Sequence, residues 1–237
     1  CSDSMRSFPL ESKNDTRNWD RITARLLDCK EEDTQGSRRT INLLVRRFIV
    51  MSNIAYWYSR WGRLEEYSTY LISLRGATRD YWLKILSLQK QGKTDEIKTT
   101  VGLLNERYPD IPVTILANCL TLIDGDAGKV KSMLEGLKPS DFKITTALGM
   151  YGVLSIRAEL YEQGAEALEM TIQLGVDSPA ERSLLAGVYY SQEEFVKALH
   201  AIGRVGHVQG KLSARLLRLR ILVALQKTEE AERLASS

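Results

Sequence analysis

The chain has 237 residues, 43% of them apolar and 27% charged, with 33 Lys and Arg against 30 Asp and Glu for a net charge of +3. That apolar share is too high for a disordered chain and enough for a large core. A charge so near balance supplies no overall field demanding nucleic acid or a membrane surface. Sixteen glycines and five prolines are few for the turns of an all-β protein, and the dominant Leu, Arg, Glu, Lys and Ala are good helix formers.

Residues 1–16, which open with Cys1 and Ser2, are polar and aperiodic and read as a flexible tether. Residues 17–45 read as capping helices and a loop. In "NWDRITARLLDC", Trp19, Ile22 and Leu26 share one helical face at i, i+3 and i+7, and this segment is expected to cap the helices C-terminal to it. "KEEDTQGSRR" then reads as an exposed loop. From Thr40 the helical pattern resumes with Leu43, Leu44 and Phe48 and can be followed unbroken to Trp61. Its apolar run, residues 48–59, is shorter than the roughly 20 residues of a membrane span and is bounded by Arg46, Arg47 and Arg60.

Beyond residue 46 the chain repeats a small phrase. "SRWGRLEEY", "QGKTDEI" and "QKTEEA" each close an apolar run and restart on acidic residues. First-helix starts fall near residues 46, 79, 112, 179 and 213, at intervals of 33, 33, 67 and 34, so a further repeat is expected near residue 145. The fifth unit places Leu185, Ala186, Tyr189, Phe195, Ala198, Ile202 and Val205 in a regular order of small and large positions. The second offers Ile85, Leu88, Gly92, Ile97, Val101, Leu104 and Pro109. The first supplies Ala55, Tyr58, Gly62, Leu71 and Leu74, with Tyr67 at its small position. The third has Ala117 and Leu120 with Gly125 one residue late, which implies a longer turn. The fourth has Gly152, Gly164 and Leu168, and the sixth has Leu219, Leu222 and Ala231. Small residues are needed where two helices cross closely.

A period near 34 built from two helices resembles the tetratricopeptide repeat (TPR) superfamily. The resemblance implies an all-α fold, a right-handed α-solenoid of about six helical hairpins over residues 46–237 with an N-terminal capping helix. It also implies a wall of first helices that binds protein partners. At the family's groove positions stand Tyr56, Ser59, Arg60, Trp82, Leu86, Lys90, Asn118, Arg157, Ser183, Gly187, Tyr190 and Arg220. Gly149, Ser183 and Gly187 would leave room for a guest between Trp82 and Tyr190. Ser52 and Tyr56 stand where the family's carboxylate clamp begins with Lys and Asn, so a heat-shock co-chaperone is not expected.

A second binding feature is local charge. Residues 195–228 hold no Asp or Glu but do hold Lys197, Arg204, Lys211, Arg215, Arg218, Arg220 and Lys227. Arg215, Arg218 and Arg220 are therefore read as a surface for an acidic partner. RNA is a weaker fit because no base-stacking module accompanies them.

Catalytic signatures do not appear: there is no phosphate-binding glycine loop, HExxH or nucleophile elbow, and the chain reads as a non-enzyme without cofactor or metal. "DGDAG" at residues 124–128 lacks the later ligands of a calcium loop and reads as a helix–helix turn. Cys119 in "TILANCLTL" reads as an inert core thiol, and His200 and His207 as surface or helix-end residues.

Cys1 followed by Ser2 and a polar tether is similar to a mature bacterial lipoprotein, with Cys1 carrying the lipids. The leading expectation is a TPR scaffold on the periplasmic face of the bacterial outer membrane, assisting assembly of a pilus or secretion complex. The alternative is a soluble, cytoplasmic TPR subunit of an intracellular multiprotein complex. The expected partner is an extended or helical segment with acidic side chains, and the open face of a last repeat also permits self-association.

Overall fold

Good helix formers and regularly placed turns divide the described chain, residues 35–176, 178–203 and 212–236 of the computed structural model, into helices alone. The chain separates into two compact units, Cys1–Asp110 and Ile111–Ser237. In the first unit, α1 (Gln35–Trp57) pairs with α2 (Trp61–Leu74) and α3 (Thr78–Gln91) with α4 (Thr94–Arg107). In the second, α5 (Pro112–Leu122) pairs with α6 (Ala127–Glu135), and a short 3-10 turn, Pro139–Asp141, comes next. Then α7 (Thr145–Arg157) pairs with α8 (Tyr161–Gln173), α9 (Pro179–Ser191) with α10 (Phe195–Ile202), and α11 (Leu212–Ala224) with α12 (Thr228–Ser236). Observed starts at 78, 112, 145, 179 and 212 meet the expected 79, 112, 145, 179 and 213. None of the described helices is long and apolar enough to cross a membrane.

The repeat is kept more faithfully by the backbone than by the side chains. Five hairpins turn through one left-handed residue: Ser59, Gly92, Glu159, Glu193 and Gln226, with φ of 53°, 72°, 64°, 61° and 58°. In each, the next N–H reaches back to the last turn of the first helix. Arg60 donates to Ala55 O at 2.8 Å, Lys93 to Leu88 O at 3.1 Å and Leu160 to Ser155 O at 2.8 Å. Glu194 and Lys227 repeat this with Tyr189 O and Leu222 O, both at 2.9 Å. Such a bond satisfies a carbonyl orphaned by the helix end and sets the angle at which the chain returns. Only Gly92 occupies the position at no steric cost, so the glycine cadence of the sequence under-reports the turn. The third hairpin differs, as expected from the late Gly125: the N–H groups of Gly125 and Asp126 both donate to Leu122 O at 2.9 Å. Asp126 then caps α6, its carboxylate accepting from Lys129 N–H at 2.9 Å. "DGDAG" is thus a turn and a helix cap.

The turn corrects the register expected in the first hairpin. The fourth residue of each second helix, Leu64, Ile97, Val130, Gly164, Ala198 and Ala231, donates to the carbonyl four residues back and is buried. Leu64, not Tyr67, therefore holds that position, and Ser52, Ala55 and Ser59 replace Ala55, Tyr58 and Gly62. A slip of three residues turns a helix face by only about 60°, so hydrophobic pattern alone did not separate the two registers. Tyr58, read as a core position, is 73% exposed.

Two expectations about the N-terminal side also change. Residues 35–39 of the expected loop are the first turns of α1, and the boundary drawn at 45/46 falls inside that helix. The helix ends at Trp57, not Trp61, because Ser59 takes the left-handed conformation. The tether, the Trp19 segment, Cys1, Cys29, Arg204, Val205, His207 and Lys211 lie outside the described residues.

In the first unit, Arg75 grips the fully buried carboxylate of Asp80 with two bonds of 2.6 and 2.7 Å. Asp80 also accepts from Ala77 N–H at 3.1 Å, capping α3. The end of α4 latches onto the same turn, with Tyr108 donating its hydroxyl to Gly76 O at 2.9 Å. In the second unit, Gly152 of α7 meets Gly164 of α8. A Cβ on Gly152 would fall 2.8 Å from Leu168 Cδ2, and one on Gly164 would fall 2.5 Å from Ile156 Cγ1. The two small positions expected there are what allow the crossing. A core of Ile156, Leu168, Leu185, Ala186, Ala198 and Ile221, with others, runs through the later hairpins.

Candidate interaction surface

Tyr56, Trp57, Tyr58 and Trp61 crowd the turn between α1 and α2. Tyr56 meets Trp61 edge-on at 6.0 Å and Trp57 at 6.1 Å between ring centroids. Trp57 is 65% exposed and Tyr58 more so, while Tyr56 and Trp61 are half-buried and pack beneath on Ala55, Leu64 and Leu83. Arg60 is exposed within the turn, and Lys90, in the last turn of α3, holds its Nζ 6.0 Å from the Trp61 ring centroid. That is cation–π range.

Polar bonds across the repeat fix the turn that follows Lys90. Glu65 of α2 accepts from Lys93 Nζ at 2.9 and 3.1 Å and from Gln91 Nε2 at 2.8 Å. This pins the α3–α4 turn against α2, and Glu65 keeps the Lys93 ammonium above its ordinary pKa, chiefly by hydrogen bonding. The structure thus brings two of the sequence-predicted residues, Tyr56 and Lys90, around the Trp61 ring, and a third, Arg60, precedes Trp61 in the chain. Rigid aromatics give contact area at small entropic cost, and nearby cations select for acidic groups.

Sequence reasoning missed Trp57, Tyr58 and Trp61 as surface residues. Their signal was the run "YWYSRW"; the slipped register assigned Tyr58 to the core.

Other expected site residues fare differently. Trp82 is fully buried, so it is a core side chain and cannot serve as a solvent-facing contact; the wall expected between Trp82 and Tyr190 loses its first anchor. Gly149 does not leave room for a guest, because Glu181 Oε1 sits 2.9 Å from where its Cβ would be. At Gly187 the corresponding space is open. Asn118 is half-buried in α5 and Arg157 is exposed at the end of α7. Tyr190 is half-buried, tilted on Phe195 at 5.6 Å, and packs against the core.

The basic run is also less free than its sequence implies. Lys197 pairs with Glu194 at 2.5 Å and lies 5.4 Å from the Tyr189 ring centroid, while Lys227 pairs with Glu230 at 3.0 Å. Both acids lie just outside the acid-free stretch, and one helical turn brings them alongside. Arg215 is half-buried and donates to Leu234 O at 2.7 Å, tying α11 to α12. It is a structural residue, not a free surface charge. Arg218 is half-buried, and Arg220 is exposed.

Cys119 is buried, and desolvation pushes its thiol up to about 11, away from the reactive thiolate. His200 is exposed in the last turn of α10. Among the described residues no group of His, Cys, Asp and Glu is placed to hold a metal ion.

No protein-family model matches the chain, and no curated protein matches its sequence. Solved structures do match. Pseudomonas aeruginosa PilF aligns with a TM-score of 0.53 at 11% identity, over 82% of this chain and 90% of its own. A thermophilic TPR protein of Thermus thermophilus aligns with a TM-score of 0.50 at 15% identity, over 77% of this chain and 99% of its own. The fold is that of the TPR proteins. At such identities the TPR likeness is one of backbone, consistent with a turn lattice that Ser, Gly, Glu and Gln all occupy.

Proposed function

We propose that this TPR chain is a non-enzymatic scaffold that binds a protein segment at the aromatic turn of α1 and α2. The observation that carries the reading is the exposure of Trp57 and Tyr58 beside Tyr56 and Trp61, with Arg60 and Lys90 at their edge. Exposed tryptophan is costly to leave in water and is concentrated at binding hot spots. The bound segment is extended or helical and carries acidic side chains, which the two cations would meet.

We further propose that Cys1 carries lipid and holds the chain at the periplasmic face of the outer membrane, where it assists assembly of an envelope complex such as a pilus or secretion system. Support comes from the polar, aperiodic residues 2–16 that could serve as a tether and from the fold shared with PilF.

Two measurements test this. A photo-crosslinking residue at Trp57 should trap a protein adduct in the native host, and reversing Arg60 and Lys90 to Glu should abolish it. An equal yield from exposed Tyr161 of α8, or an adduct untouched by the reversals, would refute the site. Mass spectrometry of the native N-terminus should find diacylglyceryl and acyl mass on Cys1; a peptide preceding Cys1 without lipid would instead support the intracellular reading.

A further inference from the structure

The aromatic turn between α1 and α2 presents hydrogen-bond donors as well as ring faces. Left-handed Ser59 reverses the chain, so Trp57 at the end of α1 and Trp61 at the start of α2 both meet Tyr56. Their planes stand at 75° and 77° to the Tyr56 ring. Rings so set meet edge to face and do not close into a stack, which leaves ring surface for a guest. Trp57 and Tyr58 are exposed, and among the described residues nothing accepts from the Trp57 indole N–H or the Tyr58 hydroxyl. The nearby acids of α2 are already taken, Glu65 by Lys93 and Glu66 by Arg63. Among the described residues, Arg60 and Lys90 have no acidic partner.

These features choose among peptide conformations. The described residues form helices alone, so they offer no sheet edge for a bound strand to extend. A bound helix pairs its own N–H and C=O groups internally and leaves its backbone carbonyls closed to the donors of Trp57 and Tyr58. A polyproline II segment makes no internal hydrogen bonds, and its carbonyls stay open to outside donors. Its φ is fixed by the pyrrolidine rings, so little freedom is lost on binding. Three residues per turn at about 3.1 Å each place prolines i and i+3 on one face, about 9 Å apart. That spacing is within the reach of two indoles that lie 6.1 and 6.0 Å from the shared Tyr56 ring.

Resting on the reading of this turn as a binding site, we propose that its partner is a proline-rich segment in the polyproline II conformation, with an acidic residue beside the prolines. Proline rings lie against the indoles of Trp57 and Trp61, while the Trp57 N–H and the Tyr58 hydroxyl donate to the segment's carbonyls. Arg60 and Lys90 meet the acid.

Fluorescence anisotropy of labelled peptides added to the full chain tests this. One peptide is a proline tract of about ten residues with Glu at both ends, and a second carries Lys at both ends. A third is an alanine peptide of the same length and charge as the first, stapled into a helix. The Glu-ended proline tract should bind at least about tenfold more tightly than either of the others. Trp57→Ala should weaken it at least about tenfold. Trp57→Phe, which keeps a ring and removes the N–H, should weaken it at least about threefold. Both variants should melt with the unsubstituted chain, because Trp57 is exposed. Reversing Arg60 and Lys90 to Glu should make the Lys-ended tract the tighter binder. A helical peptide that binds as well as the proline tract would overturn the proposal, as would binding that Trp57→Ala leaves intact. If no proline tract binds while a photo-crosslinker at Trp57 still traps an adduct lost on the charge reversals, the binding turn stands and the proline-rich partner is refuted. If that adduct is missing too, both readings fall.

Discussion

Replacing Gly164 with Ala should destabilise the protein although Ala is the better helix former. The added Cβ would lie 2.5 Å from Ile156 Cγ1 and 3.0 Å from both Ile156 N and Gly152 O, where carbon contacts are optimal at about 3.5–4.0 Å. Two of those three atoms are backbone, and the third belongs to a β-branched side chain held near one rotamer in a helix. No side chain can swing clear, so α7 and α8 must separate. Such overpacking costs about 1–3 kcal/mol, and the helix propensity gained returns about 1 kcal/mol. A net loss of up to about 2 kcal/mol is expected, which for a chain of this size lowers the melting temperature by up to about 6 °C. Gly102 in α4 is the internal control: it is exposed and nothing lies within 4 Å of its Cβ position. Gly102→Ala should therefore stabilise, by about 0.5–1 kcal/mol. Urea unfolding followed by far-UV circular dichroism measures both. If Gly164→Ala proved as stable as Gly102→Ala, the close crossing of α7 and α8 would be refuted.

Trp82→Ala should cost about 3–5 kcal/mol of folding stability, as for a buried large aromatic, and binding by the fraction that remains folded should be normal; a stable variant with impaired binding would restore Trp82 to a surface role. Asp80→Ala should cost about 3 kcal/mol, since it strands Arg75 and removes the cap on α3; thermal melting that matches the unsubstituted chain would contradict the buried pair. Cys119 holds its proton in the folded chain up to about pH 11, whereas its ordinary value is 9.0. Between those values the unfolded chain has released a proton that the folded chain retains, so stability is complete below about pH 9 and falls as pH rises through the window. The slope approaches 1.4 kcal/mol per pH unit, and Cys119→Ala should flatten it between pH 9 and 10, as read by unfolding at fixed pH steps.

The first-helix starts from the second hairpin onward, the hidden repeat near residue 145 and the longer third turn were legible in the amino-acid sequence, whereas the start expected near residue 46 falls inside α1. Also legible were the small pair Gly152 and Gly164 and the inert Cys119. These are local consequences of periodicity, turn chemistry and side-chain size, all written along the chain. The register of the first hairpin was not legible, because Ser52 and Ala55 lie on nearly the same helical face and only the left-handed Ser59 chooses between them. Nor was the fate of individual site residues. Trp82 and Trp57 are both tryptophans on first helices, and the covering of one and exposure of the other depend on neighbours distant in sequence. Arg215 reads as a free cation until the end of α12 returns to offer it the Leu234 carbonyl, and Lys197 until one helical turn brings Glu194 beside it. Sequence determines which residues prefer helix and where the chain turns. Burial and charge pairing belong to packed surfaces, so only the tertiary structure decided which aromatic and basic residues remain available to a partner.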